Sequence, residues 1–326
     1  VRPNRVCSMT TALSVRVTPR STRSTTLFLA TLVFLFLDAG LVRADALSEI
    51  ERRGVLRWGA DEEGGGPYVY QDPDDADHYI GFEVELAELL AEHLGVQAQF
   101  CQKNWDTLPQ FLNAGEIDII LNGYEWTSER AALMEATRPY YIYELQLLVK
   151  ADNPRIRSWD DLLHPPGKQR YTVGVLEPSA AATYVREHLG DQVDLRLYDG
   201  NTNAMLRTGN GADDATVQDL PIALFFRDRP QGRDLRFIDQ PVGRGHYVIY
   251  ARHGEHRLVS ALNDGLERAI PDGRLKAIYE KYHLWNDTQE SLAAAAPLTG
   301  AGQAVSGWEV VRRYTPTLLR AAWTTV

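Results

Sequence analysis

The sequence predicts an α/β fold built from two units of the same kind. Strand-like and helix-like segments alternate from Gly54 onward, and the alternation begins again after residue 143. The chain is also long enough for two domains of common size, with 326 residues, 44% hydrophobic and 24% charged. Units of this kind make parallel sheets, whose ligands bind beyond the carboxyl ends of the strands.

In the first unit VLRWGA (55–60) reads as a strand. FEVELAELLAEHL (82–94) reads as a helix with Phe82, Leu86, Leu89 and Leu90 on one face and Gly95 as its stop. VQAQFC (96–101) is the next strand, and Asp106 opens a helix through Leu112 that tolerates Pro109 in its first turn and ends at Gly115. IDIIL (117–121) has the aliphatic, β-branched make-up of a strand buried on both faces. In the second unit YELQLLVK (143–150), YTVGVL (171–176) and VDLRLY (193–198) are strands, with SWDDLL (158–163) and SAAATYVREHL (179–189) as helices. GHYVIYAR (245–252) is a further strand, and two amphipathic helices follow, carrying Leu258, Leu262, Leu266 and Ile270, then Leu275, Ile278 and Tyr282. Residues 287–306, rich in Ala, Gly, Ser and Thr, read as a flexible linker.

The formal charge is −10, but residues 1–46 hold six Arg against two Asp, leaving 28 basic and 42 acidic residues in the remainder. That acidity argues against nucleic acid as a partner. Residues 1–46 read as an export signal: Arg-bearing polar sequence, then LFLATLVFLFL (27–37), then small residues at Ala44 and Ala46 where cleavage is expected. An uncleaved anchor is the alternative, although the apolar run is short for a membrane span. The sequence starts at Val1, so Met9 is an alternative start. Cys101 is the sole cysteine after the signal, so the exported part has neither an intrachain disulfide nor a cysteine zinc site. HGEH (253–256) matches no zinc signature, TGNGADD lacks the dinucleotide-binding spacing, and no cofactor or metal is expected.

The polar stretch NGYEWTSER (122–130) follows the buried strand. Thr127 is the expected helix cap, which places Arg130 in a first helical turn, where partial positive charge disfavours a cation unless an anion shares the site. Taken locally, a surface contact of Arg130 with Glu129 or Glu125, worth little energetically, is the alternative.

Several stretches fall in one order: GFEVELAELLAEHLG, NWDTLPQFLNAGEIDIILNG, WTSER, TRPYY, LLVK, SWDDLL, YTVGVLEPSAA, GADDATVQDLPIA and DGRLKAIYEKY. Over about residues 53–285 this set resembles the periplasmic solute-binding proteins of polar amino-acid uptake transporters, solute-binding family 3. The resemblance implies a two-lobe periplasmic binding protein fold of type II, with two parallel-rich sheets joined by two crossing strands. It places the first lobe at 47–143 and 243–286 and the second at 144–242. It implies extracytoplasmic capture of one polar or cationic free amino acid, for delivery to an ABC permease membrane subunit and its ATPase, with no catalysis. A dehydratase-like enzyme on the same fold and the ligand-sensing ectodomain of a receptor are the alternatives.

Position by position, the resemblance makes Arg130 the clasp of the ligand α-carboxylate, a task that suits a guanidinium fork. Asn122, Gly123 and Glu125 are implied around the amino-acid head group, Asp219 as the acceptor of its ammonium, and Ser179 and Ala180 as a second carboxylate contact at a helix start. Pro178-Ser179-Ala180 stands where Gly-Thr-Thr is usual, so one hydroxyl is missing. Trp105 matches an aromatic against the ligand side chain, with core packing as the alternative, and Asp61 and Tyr68 line the same wall. Glu125 stands where relatives carry Ser or Thr, and its side chain points either inward beside Asp219 or outward. EEGGGPY (62–68) departs from the usual aromatic run and is expected to be mobile. GWEVVRRYTPTLLRAAWTTV (307–326) resembles the opening of an amino-acid permease, with a short amphipathic tail as the alternative.

Overall fold

The computed structural model describes residues 45–295 and 298, except 64, 168 and 169. The apolar run at 27–37, expected to belong to an export signal, and the permease-like segment lie outside the described residues. Asp45 and Ala46, placed at the end of the signal by sequence, belong to the first helix: Asp45 caps α1 (Ala46–Arg53), and the Ala46 N–H donates to Glu255 Oε2 at 2.8 Å.

The first lobe is a five-stranded sheet of order β4-β1-β5-β12-β6. β1 (Val55–Ala60) pairs in parallel with β4 (Gln97–Gln102) and with the very short β5 (Ile119–Ile120). Between β1 and β4 run a hairpin, β2 (Tyr70–Asp72) and β3 (Asp75–Ile80), and helix α2 (Phe82–His93). The hairpin has no apolar alternation to announce it, since its acidic residues face solvent. A 3-10 turn (Trp105–Thr107) leads into α3 (Leu108–Ala114), with Pro109 in its first turn and Gly115 at φ 75° as its stop. Thr127 caps the four-residue α4 (Ser128–Ala131), accepting from the Arg130 N–H at 3.1 Å, and β6 (Met134–Ala136) follows.

The second sheet has the order β11-β7-β10-β8-β9. β7 (Tyr141–Lys150) enters it from the first lobe, β8 (Tyr171–Leu176) and β9 (Val193–Tyr198) pair in parallel, and α5 (Ala180–His188) and α6 (Asn201–Gly209) are the crossovers. β10 (Ala215–Asp219) ends where α7 (Leu220–Phe226) begins, so Asp219 sits at the carboxyl end of a central strand. β11 (Leu235–Tyr247) runs antiparallel to β7 back to the first lobe, and its irregularities fall between Ile238 and Gly245. β12 (Tyr250–Arg252) then joins the first sheet, so residues 245–252 form the ends of two strands and not one continuous strand. Both sheets are mixed, because these returning strands pair antiparallel to their neighbours. Helices α8 (His256–Ala269) and α9 (Arg274–Lys281) pack against α2.

Two expectations change. The start of the linker is a 3-10 helix (Asp287–Ala294) docked on β7, where buried Gln289 donates to the Ile142 carbonyl at 2.7 Å and accepts from its N–H at 3.0 Å. Composition hid this, because one buried glutamine anchors an otherwise small-residue segment. The glycine loop expected to be mobile is packed: Pro67, Tyr68 and Val69 are buried, and a Cβ at Gly66 would meet the Phe225 ring of the second lobe at 2.1 Å.

Candidate functional site

A cleft opens between the sheets, at the carboxyl ends of β1, β5, β8 and β10. Asp61, Tyr68, Trp105, Asn122, Gly123, Glu125, Ser179 and Asp219 all line it. Arg130 and Ala180 do not; with Ser179 they border a second, more open depression of about 980 Å³ on the far side of Glu125. The side chain of Glu125 divides the two spaces.

Each wall is fixed by its own lobe. Asp61 follows β1 and organises the loop around it: its carboxylate accepts from the Trp105 N–H at 2.9 Å, the Glu63 N–H at 3.0 Å and the Gln102 side chain at 3.0 Å, and its own N–H donates to Asn122 at 2.9 Å. The Trp105 indole donates to the Asn122 carbonyl at 3.1 Å and lies 4.6 Å from the Tyr124 ring, so it is both a cleft wall and a lid on the core beneath. Gly123 has φ 58°, and a Cβ there would press on the Tyr68 ring at 2.9 Å. Its N–H donates to Glu83 at 2.7 Å and is therefore engaged within the lobe.

Glu125 points inward and is 2% exposed. Its Oε2 accepts from Arg130 Nη1 at 2.6 Å, and its Oε1 accepts from the Ala180 N–H at 2.8 Å, at the start of α5 in the other lobe. The same Arg130 nitrogen also donates to the Glu125 carbonyl at 2.9 Å, and the guanidinium lies 4.2 Å from the Tyr124 ring centroid. Burial is the largest influence on Arg130 and opposes its charge, but the charge and hydrogen bond of Glu125 together with Tyr124 and Tyr250 offset it, and its pKa is raised. The anion that the helical turn calls for is thus present within the chain, and this buried pair is the Arg130–Glu125 contact that the local sequence left open. Ser179 caps α5 by accepting from the Ala182 N–H at 3.2 Å and donates to the Leu176 carbonyl at 2.6 Å, so its hydroxyl is occupied locally.

Asp219 accepts from the Tyr247 hydroxyl, which in turn lies 2.8 Å from the Tyr68 hydroxyl. Burial pushes the Asp219 carboxyl up to about 8, and the Glu125 charge adds to the effect. Behind this row, buried Glu83 is held by the Tyr140 hydroxyl and the Gly123 N–H, and burial pushes it up to about 8 as well.

Sequence reasoning missed Glu63, Asp199, Gln218, Tyr247 and Phe225. Gln218 lines the cleft, donates to Thr216 at 2.7 Å, and its buried side-chain oxygen accepts from none of the described residues. Among the described residues lining the cleft, five are Asp or Glu and none is Lys or Arg. The site is built to receive positive charge and N–H donors.

Residues 56–284 match the model of the bacterial extracellular solute-binding proteins, family 3. Curated relatives include the L-cystine-binding protein of Escherichia coli, 31% identical over 76% of this chain and 87% of that protein. A probable histidine-binding protein of Neisseria gonorrhoeae is 26% identical over 65% of this chain and 78% of its own length. Among solved structures, an ancestral arginine-binding protein bound to arginine shares 28% identity with a TM-score of 0.64, covering 71% of this chain and 98% of its own. An ancestral amino acid-binding protein described as a precursor of cyclohexadienyl dehydratase shares 29% identity with a TM-score of 0.65, covering 72% and 98%. The family match spans both sheets and every residue of the cleft, and with it the two-lobe geometry is accounted for: the chain belongs to the bacterial extracellular solute-binding proteins, family 3.

Proposed function

We propose that this protein captures a polar or cationic free amino acid outside the cytoplasmic membrane and delivers it to an ABC permease and its ATPase. The observation that carries the reading is Asp219, set at the end of a central strand and facing a cleft whose charged lining is entirely acidic. A carboxylate so placed suits the ammonium of an amino acid, and the Arg130 turn on the opposite lobe suits its carboxylate. Relatives named for cystine, histidine and arginine support an amino-acid ligand. Binding without covalent chemistry fits the same names.

The reading also takes the export signal to end at Ala44, the earlier of the two small residues, so that Asp45 and Ala46 stay with α1, with 47–143 and 243–286 as one lobe and 144–242 as the other. A thermal-shift screen of the purified protein against the proteinogenic amino acids, ornithine and citrulline tests it. A ligand at a hundred times its Kd stabilises by about 2.7 kcal/mol, which gives a clear upward shift. No shift with any of them overturns the reading.

A further inference from the structure

We propose that Glu125 is a resident competitor for the ligand's carboxylate, and that it thereby selects amino acids carrying a second positive charge. The inference deepens the amino-acid reading of the cleft and rests on it. One side chain takes both donors suited to a ligand carboxylate, one from each lobe: Arg130 Nη1 at 2.6 Å and the Ala180 N–H at 2.8 Å. Neither Arg130 nor Ala180 reaches the cleft wall, because both lie behind Glu125.

An amino acid entering the cleft therefore meets a carboxylate where its own carboxylate has to go. To seat itself on Arg130 it must turn Glu125 away from both donors. The released charge then joins a wall that already holds Asp61, Glu63, Asp199 and Asp219 and has no basic side chain among its described residues. Like charges repel, most strongly here between Glu125 and Asp219, whose carboxyl the Glu125 charge already pushes up, whereas Glu63 and Asp199 are exposed and contribute less. A ligand with a neutral side chain brings no net charge to offset this, whereas a dibasic amino acid brings one positive charge in excess.

The test is calorimetric titration of the wild type, Glu125→Ser and Glu125→Gln with arginine and with glutamine, ligands of similar length that differ in side-chain charge. Glu125→Gln keeps the length of the side chain and an oxygen for Arg130 and Ala180 while removing the charge, so it guards against loss of fold in Glu125→Ser. The wild type is expected to favour arginine by about tenfold or more. Both variants should tighten glutamine by about tenfold or more and arginine by less, so that the preference narrows. An unchanged preference, or weaker glutamine binding in both variants, overturns the competitor role and leaves the amino-acid reading standing. Failure of both ligands to bind any of the three proteins overturns the competitor role, and the thermal-shift screen then decides the amino-acid reading separately.

Discussion

At the residue scale, the Glu125 carboxylate ties the two walls of the cleft together, accepting from Arg130 of its own lobe and from the Ala180 N–H of the other. The Thr127 cap and the place of Arg130 in its turn rest on a few neighbouring residues, and both are as read. The contact that decides the site joins Glu125 to Ala180, 55 positions apart, and no local pattern encodes such a pairing. Arg130→Ala should abolish amino-acid binding and also lower stability, because it leaves Glu125 as a buried charge stripped of its cation, at a cost of about 3–5 kcal/mol. Arg130→Ala combined with Glu125→Ala should recover most of that stability but none of the binding, as read by urea unfolding beside calorimetry. Full binding in the single variant would sink the assignment of Arg130.

Asp219 gives a second test at this scale. Its carboxyl is raised to about 8, so near neutral pH much of it carries a proton that a ligand ammonium must expel. Binding then releases a proton, and the Kd for an amino acid should rise as pH falls from about 8 toward 6, by at most about tenfold per unit. Asp219→Asn should remove that dependence and weaken amino acids far more than their des-amino analogues. A pH-independent Kd in the wild type would show that Asp219 does not meet the ammonium.

At the element scale, strands that alternate with helices were legible almost to the residue: β1 and β8 span the residues that their apolar pattern marks. The hairpin of β2 and β3 was not, because it buries no face of its own. The 3-10 helix at Asp287–Ala294 was misread as linker for the opposite reason, since its attachment is a side chain satisfying a strand's backbone. Replacing Gln289 with Ala would leave the Ile142 N–H and carbonyl buried without that partner, at about 1–3 kcal/mol. The urea midpoint should fall with the slope of the transition unchanged. An unaltered midpoint would mean that this helix is merely laid against the fold.

At the scale of the whole molecule, two seams hold the lobes together on either side of the cleft. On one, the Tyr70 ring lies 4.9 Å from Phe225; on the other, Glu125 and Arg130 reach the Pro178–Ala180 segment. The two crossing strands that the resemblance implied are β7 and β11, the expected place for a hinge, whereas the seams depend on side chains that meet only after folding. Phe225→Ala with Glu125→Ser loosens both seams, so the radius of gyration of the protein before ligand addition should exceed that of the wild type, and saturating ligand should return it to the wild-type liganded value. Equal scattering curves before ligand would mean that the two strands themselves set the angle. Those strands also carry Tyr141 and Tyr143, stacked on Tyr247 with centroids 5.8 and 4.8 Å away. Rings held so close in a fixed, asymmetric array couple as chromophores, and bending the crossing alters their mutual angles. The hinge therefore contains its own optical gauge: the tyrosine band of the near-ultraviolet circular dichroism spectrum should change as the lobes move, letting closure be followed in real time without a label.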